Sequence, residues 1–487
     1  MLRGNLPDNN AMLAKPSGVG SARAIPCGAK CFRHGDIPEA PAVPSNPASD
    51  SSRKAEEACR GGKRIVVIGG TGRIGSSTAA ALLKYLPSCS LVVASRSAAS
   101  FEAVKKRRPE LGQIPFEEVD IDDMPRLESL LKGSALVIHA AGPFQRKEGA
   151  RVLEAAIATG TPYMDVCDDT KFSQRMKTYH EKAKAAGVPA ITTAGIYPGV
   201  SNIMAAHMVS CARKECDKAG RYMGQLNGKE SSSTHATSTS SSRPEDWDSR
   251  VAAEPLRCLY SYYTAGSGGA GPTILETSFL LAGEGVEAYL DGEKVDALPV
   301  SKPRVVDFGK GCGKRRVYLY NLPEVHSTFK YMRVPTVSAR FGTAPEFWNW
   351  AMVAVARLAP KGMLQDRSKI KAFGKLSDPW VRLIDPIIGE QVGMRVDVDL
   401  SDGTTACGLF VHKRLSDSVG ICIAAFAQAV LAGETQPGVW FPEEPEAVQD
   451  RPALLKLASR GCTQFQINRP PWAIETDPKQ LGMGFYW

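Results

Sequence analysis

The chain lacks most of the markers that assign a function directly. Its 12 cysteines are scattered with no CxxC pair, and its seven histidines show no HExxH or other metal-ligand spacing. That pattern argues against a structural zinc site and for reduced, mostly buried thiols in a reducing compartment. No metal is expected. No apolar run reaches the roughly 18–20 residues needed to span a bilayer. The nearest, WNWAMVAVARLA at 348–359, is too short and reads as a buried helix, although Trp348 and Trp350 would also suit a membrane interface. Lys and Arg give a net charge of +9 but are dispersed. With no basic block interleaved with aromatics, no nucleic-acid partner is expected. A Tyr-x-x-x-Lys pair is also missing, which disfavours a short-chain reductase.

What is present is organised around RIVVIGGTGRIG at 64–75. The run 65–68 is apolar, β-branched and of strand length, and an alanine-rich helical pattern follows it. Gly70, Gly72 and Gly75 fit G-x-G-x-x-G, with the strand before and the helix after that the motif requires. One glycine permits a tight turn. The next lets the backbone approach a pyrophosphate, and the third lets the helix pack on the strand. Free N–H groups and the positive end of the helix dipole would face the phosphates. Gly70, Thr71, Gly72, Arg73, Ile74 and Gly75 are therefore the expected dinucleotide cradle; a glycine turn without a ligand is the competing reading.

A length of 487 residues suggests about three domains, or two large ones. Residues 1–62 read as a disordered presequence and linker. Up to Gly35 there are Arg3, Lys15, Arg23, Lys30 and Arg33 against Asp8 alone, with no apolar core of a secretory signal. This resembles an organelle transit peptide, so a plastid is expected, with mitochondrion or cytoplasm as alternatives. From 63 to 202 strands and helices alternate: strands at 64–68, 90–95, 115–120, 135–140, 162–166 and 188–193, helices at 73–86, 99–107, 124–132, 148–159 and 171–186. This rhythm predicts an α/β fold, a Rossmann-type doubly wound parallel sheet with its ligand crevice at the strands' carboxyl ends. Asp120 and Ala141-Gly142-Pro143 fall at such ends, as expected cofactor contacts.

The residue after the second strand selects the cofactor. NAD enzymes carry an acidic residue there, about 20 residues beyond the glycines, for the ribose 2′-OH. This chain has Ser95-Arg96-Ser97. A carboxylate would repel a 2′-phosphate, whereas a guanidinium and two hydroxyls would bind it with charge-assisted hydrogen bonds. NADP is therefore expected over NAD.

Residues 203–415 read as an α+β substrate domain, interrupted at 225–250 by a Ser/Thr-rich insertion without apolar periodicity. Helix 203–212 would be capped by Ser201 or Asn202. Strand 256–264 leads into a second glycine loop, 266–271, with Pro272 opening helix 273–282. Short strands follow near 286–290, 304–308, 316–320 and 337–341, then helices 346–358 and 380–387. A hairpin is expected over 395–400 and 406–412. The last segment, 416–487, holds an apolar helix at 419–432 that must be buried, most simply against the first domain.

Several of these pieces together resemble the saccharopine dehydrogenase (saccharopine reductase) family, most closely its plant and algal chloroplast-type members. They are VVIGGTGRIG, HAAGPF at 139–144, YMDVCDD at 163–169, TAGIYPGVSN at 193–202, SYYTAGSGGAGPTIL at 261–275, RFGTAPEFWNW at 340–350 and QPGVWFPEE at 436–444. The resemblance implies a Rossmann domain, an inserted α+β substrate domain and a C-terminal helix returning to the first domain. It also implies nicotinamide-dependent chemistry on a C=N or C=O group of a small carboxylated substrate. Tyr197 and Asp168, expected at the crevice rim, are candidate proton donors. Gly269, Thr273 and Arg340 are candidate substrate contacts, Arg340 as a bidentate carboxylate clamp. The partner expectations beyond substrate are a homodimer and a peripheral membrane contact. A non-catalytic NADP-binding sensor or scaffold on a plastid membrane or protein partner is the alternative.

Overall fold

The computed structural model describes residues 50–60, 63–145, 147–215, 252–266, 272–360, single positions and short runs between 364 and 374, and 389–475. The presequence through residue 49, the insertion 225–250, Gly269 and the expected helix 380–387 lie outside the described residues.

Seven parallel strands form the first sheet, in the order β15-β6-β5-β4-β1-β2-β3. These are β1 (Arg64–Ile68), β2 (Ser90–Ser95), β3 (Phe116–Glu118), β4 (Leu136–His139), β5 (Tyr163–Asp165), β6 (Pro189–Ile191) and, from the far end of the chain, β15 (Gly438–Trp440). Val66, Val67, Val93, Val137 and Ile138 are fully or almost fully buried, as a parallel sheet covered on both faces requires. The order reverses between β1 and β4, which places the ligand crevice of a doubly wound sheet at the β1 glycine loop.

The covering helices are α1 (Asp50–Ala58), α2 (Arg73–Tyr85), α3 (Ala98–Arg107), α4 (Met124–Leu131), α5 (Arg151–Thr159), α6 (Thr170–Lys177), α7 (His180–Ala185) and α8 (Val200–Ala212). Three depart from expectation. The stretch expected to be disordered up to 62 contains α1, anchored by buried Ala55 and by Ser51 donating to Glu434 at 2.8 Å. The single helix expected over 171–186 breaks at Thr178 and Tyr179, whose N–H groups turn to Arg175 and Met176 carbonyls at 3.0 and 3.1 Å. Helix α8 starts three residues early, with Gly199 at its N-cap. The Asn202 side chain, expected at the cap, instead reaches back to accept from the Gly199 N–H at 3.0 Å. One cysteine pair also departs from the reduced reading: Cys59 and Cys89 form a disulfide.

The second sheet has nine strands and is mostly antiparallel. Its main path is β10-β11-β12-β7-β13-β14-β16, with β8 paired to β12 and β9 paired to β8. The strands are β7 (Pro255–Ala265), β8 (Val286–Leu290), β9 (Glu293–Ala297), β10 (Ser301–Asp307), β11 (Lys314–Leu319), β12 (Thr336–Ala344), β13 (Gln391–Leu400), β14 (Thr405–His412) and β16 (Cys462–Arg469). Strands β7 and β12 are parallel, with Tyr260 opposite Ala339, Ser261 opposite Arg340 and Tyr262 opposite Phe341. Period-two alternation splits these residues between faces. Tyr260, Tyr262 and Ala339 join the main core, whereas Tyr263 and Ala265 join a separate cluster with Phe308 and Leu409.

Further helices among the described residues include α9 (Pro272–Ala282), α10 (Pro323–Ser327), α11 (Glu346–Leu358), α12 (Leu415–Leu431) and α13 (Arg451–Ala458). Helix α12 is buried along nearly its whole length and packs on α1 and α2. The approach is tight: a Cβ on Gly420 would sit 2.5 Å from the Ser77 carbonyl oxygen of α2. The last segment thus supplies a helix and a strand to the first layer and β16 to the second. Helix α11, expected to be buried, is buried on one face only. Asn349 and Met352 point inward while Phe347, Trp350 and Leu358 are exposed.

Candidate functional site

The β1 strand delivers its glycine loop to the carboxyl edge of the parallel sheet. Gly69 takes φ +79°, and a Cβ there would lie 2.7 Å from the Ala141 backbone, so the loops after β1 and β4 touch. A Cβ on Gly70 would meet Val93 at 2.7 Å, and one on Gly75 would meet the Gly69 oxygen at 2.3 Å. Gly72 is different. Apart from the Gly69 oxygen at 3.1 Å, nothing beyond its chain neighbours stands within 4 Å of its Cβ position. That opening lies at the N-cap of the 13-residue α2, where no side chain caps the helix. Unspent N–H groups beside open space suit a pyrophosphate.

Ser95 and Arg96 stand next to this loop. The Thr71 and Ser95 hydroxyls are 2.8 Å apart, which fixes the loop against the end of β2. Arg96 is exposed and has no ion pair among the described residues, so its guanidinium can meet a 2′-phosphate. Ser97 is already engaged, accepting from the Ser100 N–H at 3.3 Å as the α3 cap. Arg73 lies 3.7 Å from Glu390, just before β13, so the cradle reaches the second sheet. Ile74 packs against the core. Asp120 is exposed and accepts from the Asp122 N–H at 3.1 Å. Beside it a cavity of about 380 Å³ opens between the β3 and β4 ends, lined by Asp122, His139, Lys147 and Arg151 among others. Gly142 is exposed next to Pro143, and the Lys147 ammonium donates to the Ala141 carbonyl at 2.8 Å. The donor set and the open space fit a dinucleotide with a 2′-phosphate.

A buried network holds the strand ends in register. His139 Nδ1 is 3.3 Å from the Tyr163 hydroxyl, which donates to Asp165 Oδ2 at 3.0 Å. Asp165 also accepts from the Cys167 and Thr193 N–H groups and the Thr192 hydroxyl. Burial, with the Lys147 charge nearby, pushes His139 down to about 3, so its imidazole is neutral at physiological pH.

Beyond that network the crevice meets the second sheet. Tyr197 is half-buried, stacks on Tyr262 at 4.6 Å between ring centroids and exchanges a hydrogen bond with Thr264 at 2.9 Å. Burial pushes its phenol up to about 12, which keeps the proton on the oxygen. Asp168 accepts from Gln145 Nε2 at 2.9 Å. It is not the α6 cap, because Asp169 fills that place by accepting from the Phe172 N–H at 2.6 Å. Burial pushes Asp168 up to about 6 against the Gln145 hydrogen bond. Glu324 and Glu443, which the sequence reading missed, are both buried, and Glu324 is linked to Tyr197 through the Tyr262 ring on which Tyr197 stacks. Tyr262 donates to Glu324 at 2.7 Å. Burial raises both carboxyls to about 7.

The expected substrate contacts do not gather here. Arg340 lies on the β12 face opposite Phe341, whereas Phe341 packs toward Tyr197 at 6.3 Å. Its guanidinium donates to Ser338 at 2.9 Å on that other face. Strand alternation thus turns it away from the crevice. Gly269 and the Thr273 side chain lie outside the described residues. Signals for the missed acids are slight. Glu443 sits within QPGVWFPEE, but nothing in its neighbours' periodicity marks it as buried.

Comparison with known proteins agrees with this geometry. Residues 65–191 match the family model described as the saccharopine dehydrogenase NADP binding domain. Over 95 residues, 19% of this chain, the sequence is 35% identical to a saccharopine dehydrogenase-like oxidoreductase of Mus musculus. The Rattus norvegicus protein of that name is 36% identical over 77 residues, 16% of this chain. These matches span 22% and 18% of the relatives' own lengths. Apo saccharopine dehydrogenase (L-Glu forming) from Saccharomyces cerevisiae shares the fold, with a TM-score of 0.53 at 14% identity, over 83% of this chain and 99% of that one. Residues 65–191 thus match a saccharopine dehydrogenase NADP binding domain, within a chain that shares the saccharopine dehydrogenase fold.

Proposed function

We propose that the chain is an NADP-dependent oxidoreductase that moves a hydride to or from a C=N or C=O group of a small molecule. One observation carries the reading: a proton-holding phenol, Tyr197, and a partly accessible acid, Asp168, stand at the same sheet edge as the glycine cradle. NADPH would supply the hydride when bound. Gly72, the α2 N-terminus and Thr71 hold the pyrophosphate end, and Arg96 with Ser95 reads the 2′-phosphate. Stacking on Tyr262 and the Thr264 hydrogen bond orient the Tyr197 hydroxyl, which can donate at the substrate heteroatom. Asp168, protonated below about pH 6, is the second donor. An imine nitrogen protonates readily, so positioning and exclusion of water take up most of the work. Arg340 has no part in this reading, and a carboxylate on the substrate would need another partner.

The test is nicotinamide absorbance with NADPH and a panel of cyclic imines and aldehydes. Turnover is expected, and Tyr197→Phe should lower kcat by roughly a hundredfold with NADPH affinity unchanged. Tight NADPH binding without turnover across the panel would contradict the reading. The basic, acid-poor N-terminus further supports a plastid location; an intact Met1 on the mature protein would contradict that.

A further inference from the structure

Around Asp168 and Glu324, where loops of the first sheet meet segments flanking the second, the crevice is short of hydrogen-bond donors. Two amides define the imbalance. Gln145, fully buried, gives its NH2 to Asp168 at 2.9 Å and leaves its Oε1 without a partner. Asn321, 8% exposed at the end of β11, gives its NH2 to Glu284 at 3.3 Å and leaves its Oδ1 likewise. Glu324 takes the Tyr262 hydroxyl on one oxygen and leaves Oε2 unmatched, with the whole side chain buried. These groups share one neighbourhood, because α10, which carries Glu324, packs on α6, which follows Asp168. Asp168 feels the Glu284 charge, and Glu324 feels both Asp168 and Glu443. The neighbouring charges that act most strongly on Asp168 and Glu324 are other carboxylates.

Three buried acceptors left unmatched are expensive, at about 1–3 kcal/mol each. A proton on Glu324 supplies a single donor and leaves the two amide oxygens bare. Flipping either amide would turn its oxygen onto a carboxylate and worsen the balance. The missing partner is therefore a group rich in N–H and positive in charge. An ammonium offers three donors and no acceptor. Asp168 and Glu284 are half-buried, so the wall is reached from solvent on that side.

We propose that Asp168, Glu284, Glu324, Gln145 and Asn321 form a subsite for an ammonium or iminium group of the substrate, so that the chain acts on an amine or imine with a cationic end rather than on a polycarboxylate. This rests on the oxidoreductase reading only in calling the ligand a substrate. Binding of the cation itself does not need hydride transfer.

The test compares cadaverine with glutarate, a diamine and a diacid of equal chain length, by calorimetry on the full chain with and without saturating NADPH. Cadaverine should bind and glutarate should not. Glu324→Gln should weaken cadaverine by about tenfold or more while NADPH affinity stays unchanged. If Glu324→Gln loses NADPH binding through misfolding, Gln145→Met takes its place and should weaken cadaverine several-fold. Equal or tighter glutarate binding, no cadaverine binding, or cadaverine binding indifferent to the variant that still binds NADPH would each overturn the proposal. Absence of NADPH binding in the wild type would instead overturn the oxidoreductase reading and leave the cation measurement standing.

Discussion

At Gly72 the crevice presents backbone N–H groups, an uncapped helix end and, nearby, the exposed Arg96. At Glu324, Gln145 and Asn321 it presents oxygen atoms with nothing to accept. One wall is suited to phosphates and the other to a cation. The two are built differently as well. The phosphate cradle itself is built from backbone and from missing side chains, whereas the acceptor cluster depends on where long polar side chains from separate elements come to rest.

Four substitutions would break or sharpen that contrast. Gly75→Ala should have the largest effect. Its Cβ would sit 2.3 Å from the Gly69 oxygen and 2.6 Å from Gly70, both backbone atoms of the cradle. NADPH affinity should fall by at least a hundredfold, and stability by about 3 kcal/mol, in fluorescence titration and denaturant unfolding. Intact NADPH binding would mean that the cradle is not where the phosphates sit. Tyr197→Phe follows, with the kcat loss described above.

Arg96→Asp acts on the donor wall alone. It should shift the ratio of NADPH to NADH affinity by about ten- to a hundredfold toward NADH. An unchanged ratio would remove Arg96 from 2′-phosphate recognition.

Glu324→Gln acts on the acceptor wall and reads out as pH dependence. Burial raises this carboxyl from 4.5 to about 7 in the folded chain. The folded state therefore holds the proton more tightly than the unfolded state. The stabilisation is complete below about pH 4.5 and is lost as pH rises through 7. Replacing Glu324 with the neutral amide should leave stability near pH 4.5 little changed and raise it at pH 8 by roughly 1–3 kcal/mol, flattening the profile in thermal unfolding. A steeper decline with pH in the variant would contradict the account.

The same contrast decides how much could be read in the sequence. The parallel layer is written locally. Strands 64–68 and 90–95 have the expected bounds, and the glycine loop falls between β1 and α2 because each glycine answers a local steric need. Short elements such as β9, β15 and α10 escape, since five or fewer residues carry too little periodicity and exist through their neighbours. The break between α6 and α7 escapes because no Gly or Pro marks Thr178–Tyr179. Tyr197 and Asp168 stand out as polar residues in turns after predicted strands. Glu324, Asn321 and Gln145 do not, because their role arises from burial by distant segments. Arg340 shows the converse: its residue type suggests a clamp, but the β7–β12 register turns it to the other face.

The central claim is hydride transfer in this crevice, and the most direct measurement is the rate of NADPH oxidation by wild-type protein across a panel of imines and aldehydes. The account predicts turnover, fastest for imines with a second, cationic nitrogen and slowed roughly a hundredfold in Tyr197→Phe. NADPH bound tightly but not oxidised by any member of the panel would contradict it.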